Sequence, residues 1–69
     1  MSYLIKIKWE GQAIIKRKPE ILASPCRKEN LAEVESIEDS AVEQKLRVSK
    51  FIKGYRNVKL ISFKVLEKS

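Results

Sequence analysis

From Tyr3 to Glu10 the chain alternates: Tyr3, Ile5, Ile7 and Trp9 fall on one side and Lys6, Lys8 and Glu10 on the other, with Leu4 the exception. A period of two is that of a half-buried strand, so this segment needs strand partners and a cover for its apolar face. The next residues suggest the first partner. Glu10-Gly11-Gln12 reads as a short turn, with Gly11 free to take positive φ, and Ala13-Ile14-Ile15-Lys16-Arg17-Lys18 reads as the returning strand, stopped by Pro19. The expected opening is an antiparallel hairpin.

A helix is expected from Ser40. Ser40-Ala41-Val42-Glu43 has the form of a capping box, in which the serine oxygen accepts the amide of residue 43 and Glu43 reaches back to the amide of residue 40. Gly54 would end the helix in a left-handed conformation. At about 100° per residue, Ala41, Val42, Val48, Ser49 and Ile52 share a stripe bordered by Leu46, and Glu43, Gln44, Arg47 and Lys50 lie opposite. Beyond Tyr55-Arg56-Asn57 the alternation of Ile61, Phe63 and Val65 with Ser62 and Lys64 predicts a strand over 58–66 that can pack beneath the helix.

Residues 19–39 admit two structures. In one, residues 31–36 form a short strand feeding the helix through Ile37-Glu38-Asp39. In the other, Ser24 caps a single helix that has Pro25 in its first turn and runs to Lys53, with Val34, Ile37, Ala41, Val48, Phe51 and Tyr55 in heptad-like spacing. The short strand is preferred, because a capping box has no use inside a helix; the long helix would favour dimerisation. The fold class expected is therefore α+β, a small single domain over residues 1–69 with an N-terminal hairpin, one main helix and a C-terminal strand.

Composition narrows the function classes. With 43% hydrophobic and 35% charged residues, the chain is too apolar to stay disordered and too charged for a membrane protein. No apolar run approaches the roughly 18 residues a spanning helix needs, and lysines interrupt the N-terminal hydrophobics where a signal peptide would be continuous. A cytoplasmic location is expected. Cys26 has no partner for an intrachain disulfide, and the absence of histidine removes the commonest metal ligand and the usual general base. No metal, no cofactor and no catalysis are expected of 69 residues that also lack a phosphate-cradling glycine pattern.

Charge is the most informative remaining feature. Residues 1–28 carry seven basic and two acidic side chains, residues 29–44 six acidic and no basic ones, and residues 45–69 eight basic and one acidic. Lys16, Arg17 and Lys18, with Arg27 and Lys28, form one candidate phosphate-binding cluster; Arg47, Lys50, Lys53 and Arg56 form a second. Each also has a plain structural role, protecting a sheet edge in the first case and complementing a helix C-terminus in the second. Trp9 is expected in the core, and Tyr55 is expected to close its end. The leading expectation is a small basic accessory protein that holds nucleic acid, DNA or RNA, mainly by its phosphates. The alternative is a protein-binding adaptor or inhibitor, of the kind phages encode, acting through charged faces or a sheet edge. The block Glu29, Glu33, Glu35, Glu38, Asp39 and Glu43, set against two basic blocks, also suits a homodimer.

Overall fold

In the computed structural model, which describes residues 1–15, 19 and 21–68, the elements run β1 (Tyr3–Ile15), β2 (Ile21–Leu22), β3 (Cys26–Val34), α1 (Asp39–Val48), a 3-10 turn (Lys50–Ile52) and β4 (Tyr55–Lys68). The α+β order of three strands, a helix and a strand is as expected, and the long helix through residues 25–39 is excluded, since β3 occupies most of that span.

β1 is the hub of the sheet. It pairs antiparallel with β3 from Tyr3↔Val34 to Gly11↔Cys26 without a break in register, and with β4 from Tyr3↔Lys68 to Ala13↔Tyr55. Because both partners use the same residues of β1, they flank it on opposite edges. β2 lies on the β3 side: Ile14 donates its amide to Gly54 next to β4, whereas the Ala13 carbonyl, pointing the other way, accepts the amide of Ala23 just past β2.

The apolar side of β1 carries the core. Ile5, Ile7 and Trp9 are fully buried beneath Val42 and Leu46 of α1, with Val34 completing the cluster. Phe51 lies tilted against the Trp9 ring at 5.9 Å and Tyr55 meets it edge-on at 5.1 Å, so Tyr55 does close the end of the core. The indole N–H, which burial would otherwise leave unpaired, donates to Asn30 Oδ1 at 2.8 Å.

Three local expectations are corrected. Gly11 is not a turn: it is buried and β1 runs straight through it to Ile15, so residues 13–15, expected in the returning strand, extend the first one, and the strand that pairs back on it is β2. A Cβ there would lie 2.9 Å from Trp9 Cζ3 and 3.3 Å from Val58 Cγ2, so the glycine makes room for the indole. Ser40 is not a cap. The helix begins at Asp39 with Glu38 as its extended N-cap and no side-chain cap bond, so Ser40 is already inside the first turn, where a hydroxyl cannot take the cap position. Nor does the α-helix reach Gly54. Ser49 is extended, its hydroxyl donating to the Lys45 carbonyl and its amide to Leu46, and this local bonding competes with the helical ladder. Val48, expected on the packed stripe, is 70% exposed. Gly54 does adopt positive φ, 88°, but it follows the 3-10 turn and leads into β4.

β4 is irregular. Its register with β1 shifts between Leu4 and Ile5, between Lys8 and Trp9, and between Glu10 and Gln12. The extra residues include Leu66, Ile61 and Asn57, the last with φ 54°, its side chain donating to Gln12. Bulges of this kind bend and twist a strand, and they explain why Ile61 and Leu66 are exposed although a strict alternation would bury one of every two residues.

Candidate functional site

The helix covers one face of the sheet and leaves the other open. Because paired residues on neighbouring strands project to the same side, the open face can be read as rows across β3, β1 and β4: Glu33–Leu4–Glu67, Leu31–Lys6–Lys64, Glu29–Lys8–Ser62, Arg27–Glu10–Lys59, and Gln12–Arg56. Acidic side chains occupy the first row and basic ones predominate in the rest. Lys6 and Lys64 stand directly opposite each other, with Lys8 and Ser62 in the next row. These residues and Glu29 line a shallow depression of about 240 Å³.

Among the described residues, two ion pairs cross the face. Lys6 reaches Glu29 at 3.6 Å and Lys59 reaches Glu10 at 3.2 Å. Lys6, Glu29 and Lys59 are half-exposed or exposed and only Glu10 is mostly covered, and a pair open to water in this way adds at most about 1 kcal/mol. Among the described residues Lys64 and Lys8 form no ion pair, so the centre of the face keeps an excess of positive charge.

The sequence-predicted residues are distributed over both faces. Arg27 and Arg56 belong to the open face, opposite Glu10 and Gln12. Lys28 pairs with Trp9 in register and so projects on the helix side, where its Nζ sits 5.6 Å from the centre of the Tyr55 ring. The Tyr55 hydroxyl, as hydrogen-bond partner and then through its charge, raises the Lys28 pKa above the ordinary lysine value. Arg47 is exposed on α1 and engaged with Glu43 at 2.8 Å. Lys50 and Lys53 are exposed in and after the 3-10 turn. Lys16, Arg17 and Lys18 lie outside the described residues. The second cluster is thus divided: Arg56 is on the open face, and Arg47, Lys50 and Lys53 belong to the helical segment covering the other.

Lys6, Lys8, Lys59 and Lys64 were not among the residues singled out from the sequence. Lys6 and Lys8 could have been, since they form the polar side of the alternating first strand. Lys59 and Lys64 could not be placed beside them without knowing the bulges that set the β4 register. Compared with protein-family models, with curated proteins and with solved structures, the chain finds no significant match.

Proposed function

We propose that this protein binds nucleic acid through the open face of its sheet, by contacts to phosphate and without turnover. The observation that carries the reading is the opposition of Lys6 and Lys64 on adjacent strands, with Lys8 and Ser62 beside them. Like charges directly across a sheet destabilise it, and an anion seated between them relieves that repulsion. Arg27, Lys59 and Arg56 extend the positive track along the strands, away from Glu33 and Glu67.

The same face supports little sequence selectivity. Tyr3, Trp9, Phe51, Tyr55 and Phe63 are all in the core or packed against it, so the open side offers lysine and arginine heads but no ring on which a base can stack. The alternative, a protein-binding adaptor or inhibitor acting through charged faces or a sheet edge, would draw on the β3 edge, which shares Arg27 with this track.

Fluorescence anisotropy with mixed-sequence DNA and RNA oligonucleotides tests the proposal. With four or so phosphates engaged, affinity should fall about 100-fold between 50 and 200 mM salt. Lys6→Gln and Lys64→Gln should each weaken all sequences alike and reduce the salt slope by about one. Arg47→Gln, on the helix, should leave binding unchanged. Absence of binding at low salt, or loss on Arg47→Gln with none on Lys6→Gln and Lys64→Gln, overturns the reading.

A further inference from the structure

The two outer strands of the sheet differ in what they offer to another chain. Among the described residues β3 and β4 each pair with β1 alone, so each has a free edge. The β4 edge is interrupted by its bulges, which is how natural sheets discourage edge pairing. The β3 edge is regular over all nine residues from Cys26 to Val34. Alternation along β1, from the Ala13 carbonyl that points to the β3 side, turns the backbone groups of Trp9, Ile7 and Ile5 towards β3. Their partners Lys28, Asn30 and Ala32 therefore bond inwards, and Arg27, Glu29, Leu31 and Glu33 direct their N–H and C=O groups outwards.

We propose that this edge pairs with the same edge of a second copy, antiparallel, about a two-fold axis at Asn30. Asn30 is the midpoint of Cys26–Val34, so this register uses the whole strand. It places Arg27 of each copy opposite Glu33 of the other, twice by symmetry, on the same side of the joined sheets. Moving the axis one residue to Leu31 sets Glu29 against Glu33 twice, and moving it to Glu29 sets that carboxylate against its own copy. The Asn30 register alone among these opposes unlike charges and no like ones. On the helix side it brings Lys28 opposite Ala32 and Cys26 opposite Val34, again without a like-charge pair. The open faces of the two sheets then lie side by side, leaving Lys6, Lys8 and Lys64 uncovered. The inference does not depend on the nucleic-acid reading.

Sedimentation equilibrium of the protein alone, over a wide concentration range, tests it. The mass should rise with concentration from the 8.0 kDa of one chain to twice that. Arg27→Glu or Glu33→Arg should each weaken the dimer at least about tenfold, since each sets two like-charge pairs across the axis. The double variant Arg27→Glu with Glu33→Arg should recover it. Circular dichroism checks that each variant folds. Should a single variant fail to fold, hydrogen exchange of the native protein decides: the amides of Arg27, Glu29, Leu31 and Glu33 should slow as concentration rises. A mass that stays at one chain at millimolar concentration, a dimer indifferent to the single reversals, or concentration-independent exchange at those four amides overturns the proposal.

Discussion

Gly11 shows what one missing methyl group does for this core. The fully buried Trp9 ring and the Val58 side chain occupy the space a Cβ would need, and the closest approach is to a ring held by Phe51, Tyr55 and the bond to Asn30. Gly11→Ala should therefore cost about 1–3 kcal/mol, as overpacking does, seen as a lower urea midpoint at unchanged slope. A change under about 0.5 kcal/mol would mean that the indole moves aside freely. The sequence reading took this glycine for a turn because a local rule sees only its conformational freedom. The reason for it lies two residues back on the same face, and a side chain's need for room is not visible in a one-dimensional pattern. Trp9 itself was legible, since its place on the apolar side of an alternating strand is a property of the strand alone.

Elements were legible where their period was clean. The alternation before Glu10 identified β1, and Phe63, half-buried in β4, lies where the last strand's alternation put it. Boundaries were less legible, because they depend on competition between local bonds. At the start of α1 the capping-box pattern loses to a helix that begins one residue before the serine, with Asp39 in the first turn, where a negative charge is favoured, and the Glu38 amide bonded to Ser36 Oγ. Ser40→Ala should be neutral or stabilise by a few tenths of a kcal/mol, as replacing an exposed helical serine does. A loss of about 0.5–2 kcal/mol in thermal or urea unfolding would instead restore Ser40 as the cap. The β4 bulges had no sequence signal beyond Asn57, a residue type that tolerates positive φ, and without them the lysines of the open face could not be aligned.

At the scale of the molecule, the sheet sets the shape. The longest dimension is 46 Å, against 17 and 16 Å for the others, and 46 Å is about the length of fourteen residues of extended strand, the number in β4. The charge blocks of the sequence become a gradient along this axis on the open face, from Glu33 and Glu67 beside Leu4 to Arg56 beside Gln12. The ends of the sheet also determine where the chain can be cut and rejoined. Tyr3 and Lys68 are paired neighbours, so a short linker joining them, with new termini opened between Glu35 and Ser36, should give a permuted protein with the same fold. Circular dichroism and cooperative unfolding check this, and a disordered permutant would mean that β1 and β4 do not pair at that end.

That pairing has a mechanical consequence. Because β1 and β4 run antiparallel with Tyr3 beside Lys68, a pull on the two ends loads the same end of the ladder. The force then falls on one row at a time, Tyr3–Lys68 before Leu4–Glu67, and the strands peel apart bond by bond. Strands pulled in opposite directions along their length must instead break many bonds together. Under tension at its ends, this sheet should open at low force from the acidic end, with the row at Lys6 and Lys64 parting soon after.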